Sequence, residues 1–174
     1  MTVLSSAMQM VMMPLQGLTQ GAQPIMSYNY GARKPARIIG TLKRSCLSAI
    51  VIMLTGLLAF QLVPELLLGI FNPSDEFLRI GCSALRIISL MFPMAAVGIA
   101  LGASFQALGN GIYSTITSLC RQMLVLLPAA YLLSLTGEVT NVWLAWPIAE
   151  IASLVVTVLL FVRIYRQKIK PMYE

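Results

Sequence analysis

The sequence has 174 residues, of which 58% are hydrophobic and only 10% are charged, with a net charge of +6. A soluble domain carries about 25% charged residues, so these proportions exclude an ordinary globular core. The basic residues stand in short clusters between apolar runs, which is the pattern of membrane loops rather than of a nucleic-acid-binding surface. Three stretches without a charged side chain are long enough to cross a membrane as helices: 1–32, 45–64 and 87–120.

Turn-forming residues separate the apolar runs and divide the chain into elements. The sequence predicts an all-α integral membrane protein, a bundle of about five transmembrane helices within 1–165, followed by a basic cytoplasmic tail at 166–174. The predicted spans are 2–26, 47–71, 77–105, 113–135 and 142–165. Prolines within most of these spans predict kinks, because each proline removes one hydrogen bond from its helix.

The distribution of basic residues predicts the orientation. Five of them lie between the first and second spans, and four more lie at or after the end of the fifth, whereas Asp75, Glu76 and Glu138 lie in the alternate loops. Lys and Arg accumulate on the cytoplasmic side, so we expect the N-terminus outside and the C-terminus inside a plasma or inner membrane. An outside start with no signal sequence predicts that upstream helices are missing.

The first span carries a stripe of polar residues. At 100° per residue, seven polar side chains fall within about 60° of one another. They are Thr2, Ser5, Gln9, Gln16, Gln20, Gln23 and Ser27. Amides lose their hydrogen bonds to water when they face lipid, so the stripe should face other helices or a hydrated cavity. Both interpretations remain open: helix–helix hydrogen bonding, and a substrate pathway lined by Gln16, Gln20 and Gln23.

Two charged residues are predicted to lie deep in the membrane. Arg86 and Glu150 each stand about nine residues, or roughly 14 Å, into their spans. Ionisable groups at that depth are functional candidates by default. Equal depth predicts either a structural Arg86–Glu150 ion pair or a carboxylate that exchanges a proton or attracts a cationic substrate. Arg121 is interpreted instead as an anchor at the cytoplasmic boundary.

Enzyme chemistry has little support in the sequence. The chain has no histidine, and Glu150 has no second carboxylate deep in the membrane with which to form an acid–base pair. The three cysteines form no CxxC motif, so we expect no metal site. The sequence therefore predicts a protein without enzymatic activity.

Residues 20–37, QGAQPIMSYNYGARKPAR, resemble a signature of the MATE (multidrug and toxic compound extrusion) family. In that family a helix ends in such a run and a basic cytoplasmic loop follows it. Shorter matches are LRII at 85–88, FQALG at 105–109 and WPIAE at 146–150. The resemblance extends through nearly the whole chain. Within the family, the sequence is most similar to the bacterial multidrug-efflux branch.

This resemblance implies a twelve-helix antiporter with two six-helix lobes. Such a protein exports organic, often cationic, compounds in exchange for protons or sodium ions and needs no other cofactor. The five spans match the last five helices, so the implied partners are drug molecules, the lipid bilayer and a missing N-terminal lobe. The alternatives are a lipid or polysaccharide flippase of related architecture, and a truncated, non-transporting remnant or accessory subunit.

The resemblance assigns no coupling residue. Some relatives place a cation-binding acid in the helix that corresponds to 77–105, where this chain has Arg86 and no acid within the membrane. Other relatives place it in the first lobe. Glu150 is therefore a candidate because of its depth alone.

Overall fold

In a computed structural model, which describes residues 2–69, 75–135, 137 and 139–173, the chain is α-helical and the described part contains no strand. The predicted all-α membrane class is confirmed. The helices are α1 (Thr2–Gly31), α2 (Pro35–Leu62), α3 (Pro64–Gly69), α4 (Asp75–Ser89), α5 (Phe92–Ala107), α6 (Gly111–Leu119), α7 (Leu127–Ser134), α8 (Val139–Val142) and α9 (Ala145–Ile164).

Three continuous helical stretches of the described chain are long and apolar enough to cross a membrane: Pro35–Leu62, Gly111–Ser134 and Ala145–Met172. A fourth crossing is formed if the bent pair Ile80–Ser89 and Phe92–Ala107 counts as one span. The 30-residue α1 is long enough but falls outside this set. Its glutamines lower its mean hydropathy, although it carries no charge.

The third predicted span, 77–105, is broken in the structure. α4 and α5 meet at a bend of 52° around Leu90 and Met91. Pro93 stands in the first turn of α5, where its missing N–H costs no helical hydrogen bond. The two halves of this predicted span therefore point in different directions.

Two π-helical segments interrupt the regular helices, and each precedes a proline. Cys120–Leu126 joins α6 to α7 ahead of Pro128, and Tyr165–Ile169 extends α9 ahead of Pro171. A proline ring clashes with the carbonyl four residues earlier, and a wider turn relieves this clash. The Leu127 N–H accordingly donates to the carbonyl of Gln122, five residues back. Such π segments are frequent at functional sites.

α5 is the central helix of the bundle and packs against α1, α2, α6 and α9. At one end of the bundle the buried Phe60 and Phe92 rings lie 5.3 Å apart. At the other end Phe105 meets Tyr113 edge to face, with 6.3 Å between ring centroids.

The loop after α1 and the C-terminal tail meet at the Phe105 end. The Lys168 ammonium donates to the Leu108 carbonyl at 2.9 Å and lies 5.6 Å from the centroid of the Tyr30 ring. We call this end, formed by 30–44, 108–113 and 164–172, the basic end, because both clusters of basic residues lie there.

Gly56 sets the distance between α1 and α2. A Cβ added there would overlap Cγ1 of Val11, a stiff β-branched side chain of α1. We expect Gly56→Ala to destabilise the protein by about 1–3 kcal/mol, since the two helices must separate. Gly40→Ala, in the same helix with open space around it, is the control and should be neutral or stabilising. Thermal unfolding in detergent measures both, and equal shifts in Tm would contradict this explanation.

Candidate functional site: a buried carboxylate between two cavities

Glu150 lies in the second turn of α9 and is 4% exposed. Its Oε2 lies 3.4 Å from Nη1 of Arg121, in the only salt bridge formed within the part of the chain that the structure describes. Gly98 of α5 faces the carboxylate, and a Cβ there would lie 3.6 Å from Oε1. The Glu150 carboxylate therefore lies directly beside the central helix, at a distance where an alanine side chain would be in ordinary van der Waals contact with it.

The two partners of this ion pair differ in burial. The Arg121 side chain, carried by the π-helical segment, is 36% exposed, whereas that of Glu150 is 6% exposed. Their separation of 3.4 Å also exceeds the 2.7–2.9 Å that is typical of a strong charge-assisted hydrogen bond. The Arg121 guanidinium is therefore in contact with solvent, whereas the Glu150 carboxylate that it pairs with is buried.

A polar cavity of about 180 Å³ lies on the side of the pair that faces the basic end. Hydroxyl and amide groups of α5, α6 and α9 line it together with two glycines. These residues are Gly98, Gly102, Gln106, Ser114, Thr117, Ser118, Ser153 and Thr157. Such a lining can hold water or a small cation next to the carboxylate. Among the described residues, no three His, Cys, Asp or Glu side chains lie close enough together to hold a metal ion.

A hydrogen-bonded chain joins the polar cavity to the glutamine stripe of α1. The Gln23 Nε2 donates to Oε1 of Gln106 at 3.2 Å, and the Gln106 Nε2 donates to Oγ of Ser114 at 3.2 Å. Nearby, the Ser27 hydroxyl donates to the Ala107 carbonyl at 3.0 Å. The part of the stripe nearest the C-terminal end of α1, Gln23 and Ser27, is therefore in contact with α5, and Gln23 connects it to the cavity.

A second cavity, of about 250 Å³, lies on the other side of the ion pair and is largely apolar. Its lining includes three methionines and a tryptophan as well as Gln16: Met8, Met12, Gln16, Met91, Ile99, Leu126 and Trp146. Methionine side chains are flexible and polarisable, so they adapt to ligands of different shape. Arg121 and Glu150 line both cavities. The ion pair is thus the boundary between a polar and an apolar compartment.

The structure places the three candidate glutamines in three environments. Gln16 is exposed and lines the apolar cavity. Gln20 is exposed on the same face of α1, and Gln23 is half-buried in its hydrogen bond to Gln106.

The predicted Arg86–Glu150 pair is wrong. Arg86 is exposed on α4 and shares a surface groove of about 480 Å³ with Glu65 of α3. Its backbone carbonyl accepts a hydrogen bond of 2.9 Å from Nε2 of Gln61, near the end of α2. The physical reason is the bend between α4 and α5, which separates Arg86 from the part of the bundle that contains Glu150.

The interpretation of Arg121 as an interfacial anchor is also wrong, because its guanidinium pairs with the buried Glu150. Arg121 lies near the middle of the continuous Gly111–Ser134 helix. That position was readable in the sequence as a charge inside a long apolar run. Gln106 and the hydroxyl groups of the polar cavity carried no such signal, since single Ser, Thr and Gln residues are common in membrane helices.

A family model described as MatE matches residues 1–132. The multidrug export protein MepA of Staphylococcus aureus (strain MSSA476) is 22% identical over 150 residues, which cover 84% of this chain and 33% of that protein. The same protein of strain MW2 is similar to the same extent. The chain therefore spans about a third of the length of the curated relatives that it matches.

Solved structures share the fold. A MATE multidrug transporter, DinF-BH, solved as a complex, is 33% identical with a TM-score of 0.82, over 94% of this chain and 36% of that one. A multidrug resistance MATE family transporter in its inward-facing conformation is 20% identical, also with a TM-score of 0.82, over 98% of this chain and 40% of that one. An outward-facing conformation of a multidrug resistance MATE family transporter gives the same identity and TM-score, over 99% of this chain and 38% of that one.

Proposed function

The chain belongs to the MATE family, and from this we propose that it forms part of a multidrug efflux antiporter, which exports organic, often cationic, compounds in exchange for protons or sodium ions. The observation that carries the proposal is the position of Glu150. A buried carboxylate with a partly exposed counter-ion stands between a polar cavity and an adaptable apolar one. Such a group can bind a coupling ion from one side and respond to an organic cation from the other.

We propose further that an N-terminal lobe completes the transporter. Gln16 and Gln20 are exposed on α1, although amides are costly to place against lipid. A water-filled cavity between two lobes gives these amides partners. The share of the relatives' length that this chain spans, about a third, agrees with most of one lobe.

The proposed lobe moves as one body during transport. The segment matches the inward-facing and the outward-facing structures equally well, with a TM-score of 0.82 in each case. A segment fold that is similar to both conformations supports alternating access by rocking of one bundle against another around a shared site.

The proposed location is a plasma or inner membrane, with the N-terminus outside and the C-terminus in the cytoplasm. The support is the basic end, where the loop after α1 and the tail after α9 lie together. Basic residues accumulate on the cytoplasmic face.

Reconstitution of the intact protein in lipid vesicles tests the proposal and identifies the coupling ion. We expect ethidium to move against its concentration gradient when a proton or a sodium gradient is imposed, and not when neither is present. If both gradients fail and a lipid-linked sugar is flipped instead, the flippase is the correct assignment. If neither substrate moves, the non-transporting alternative replaces the antiporter.

A further inference from the structure

Two contiguous grooves run along the junction of α1 and α2, on a different face of α1 from the glutamine stripe. The groove nearer the basic end has a volume of about 410 Å³, and the one farther along the helices has about 520 Å³. Ile25, Thr41 and Arg44 line both, so the two grooves form one continuous channel on the surface. We call it the α1–α2 groove.

The level of the groove in the membrane follows from the charges on α2. The last charged residue of that helix is Arg44, and the uncharged stretch 45–64 begins directly after it. From 45 to the end of α2 at Leu62, a rise of 1.5 Å per residue gives about 27 Å, close to the thickness of the hydrocarbon core. Arg44 therefore marks the boundary between head groups and acyl chains, and the groove crosses that boundary.

The part of the groove at head-group level is cationic. Arg37 and Arg44 both line it and both are exposed, and neither forms an ion pair with any carboxylate that the structure describes. They share one stripe of α2 with Thr41 and Ser48, at intervals of one or two helical turns. The loop and helix start at 33–44 contain five basic residues and no acidic one. An anion placed here meets no competing negative charge.

The part of the groove inside the hydrocarbon region is apolar on the α1 side and has Ser45 and Ser48 on the α2 side. Gly17 and Gly21 of α1 line it, and no atom lies within 4 Å of a Cβ built on either. Leu18, Ala22 and Ile25 complete the wall on this helix. This open space beside the glycines, which we call the slot, leaves room for an acyl chain against the two helices.

We propose that the α1–α2 groove binds an anionic phospholipid. Its phosphate lies between Arg37 and Arg44, and an acyl chain lies in the slot beside Gly17 and Gly21. Basic pockets between membrane helices on the cytoplasmic side are suited to anionic head groups.

Native mass spectrometry of the intact protein tests this site without any transport assay. The protein in mild detergent is titrated with phosphatidylglycerol and, separately, with phosphatidylcholine of the same acyl chains. We expect one phosphatidylglycerol to bind in preference to phosphatidylcholine. The variants Arg37→Gln and Arg44→Gln should each weaken this binding by about fivefold, from the contribution of a basic residue near a membrane surface. Lys43→Gln is the matched control, since it removes one exposed positive charge from α2 outside the groove.

Gly21→Leu provides a second, independent test, because it fills the slot without removing a charge. We expect it to lower phosphatidylglycerol binding and to leave the Tm of the lipid-free protein unchanged.

Three outcomes would overturn the proposal. The first is equal loss of binding in Lys43→Gln and Arg44→Gln, which indicates surface charge alone. The second is displacement of the lipid by millimolar inorganic phosphate, which indicates a phosphate-ion site. The third is a fall in Tm in Gly21→Leu with unchanged lipid binding, which indicates that another membrane helix covers the slot.

Discussion

Replacing Glu150 by glutamine in the intact protein is expected to abolish export of an organic cation against its gradient, to the level of protein-free vesicles. Glutamine has nearly the same shape as glutamate and can still form hydrogen bonds, but it can neither carry a charge nor exchange a proton. The Arg121 side chain is 36% exposed and can turn toward water when its partner is lost. We therefore expect a stability cost of about 1 kcal/mol or less, as for other partly exposed ion pairs.

Two transport measurements on the same vesicles separate coupling from structure. Gradient-driven export requires the coupling residue, whereas downhill exchange of labelled for unlabelled substrate requires only the substrate site. We expect Glu150→Gln to lose the first and retain the second. Glu65→Gln is the control, because Glu65 is exposed on α3 and lines neither of the two cavities at the ion pair. Wild-type export with unchanged pH dependence in Glu150→Gln would rule out a coupling role for this carboxylate.

Helix positions were largely readable from the sequence because apolar runs end at turn-forming residues. The predicted spans 113–135 and 142–165 begin within three residues of the helices that start at Gly111 and Ala145. α2, however, begins at Pro35 rather than at 47. Hydropathy marks the part of a helix that matches the hydrocarbon core, whereas the hydrogen-bond ladder continues through the charged residues at the basic end. The π-helical segments were not predicted, since their cause is a local clash with a later proline.

The partner of Glu150 could not be predicted by counting residues along the helices. Such a count gives depth, and depth alone made Arg86 a reasonable partner for Glu150. Pairing also depends on the rotation of each helix and on bends between them, which tertiary packing decides. Pro93 predicted a break, but not a bend of 52° that separates Arg86 from α9. Arg121 reaches Glu150 because α9 and the π-helical segment pack directly against each other.

Replacing Arg121 by methionine is expected to destabilise the protein more than Glu150→Gln does. The change leaves the carboxylate, which is 6% exposed, without its counter-ion, whereas Glu150→Gln leaves only a partly exposed guanidinium. Breaking a fully buried ion pair from one side costs about 3–5 kcal/mol. Because Arg121 is itself partly solvated, we expect a somewhat smaller loss, about 2–4 kcal/mol.

The double variant, Arg121→Met with Glu150→Gln, should recover most of that loss, because it buries no unpaired charge. Thermal and denaturant unfolding of the two single variants and the double variant in lipid nanodiscs gives a double-mutant cycle. We expect a coupling free energy of at least about 1 kcal/mol, which is within the range for residues in contact.

Arg86→Met is the control, since Arg86 is exposed and forms no salt bridge with any residue that the structure describes. Its effect should stay within about 0.5 kcal/mol. Additive costs for Arg121 and Glu150, or a larger cost for Arg86→Met than for Arg121→Met, would show that the pair is not formed in the membrane.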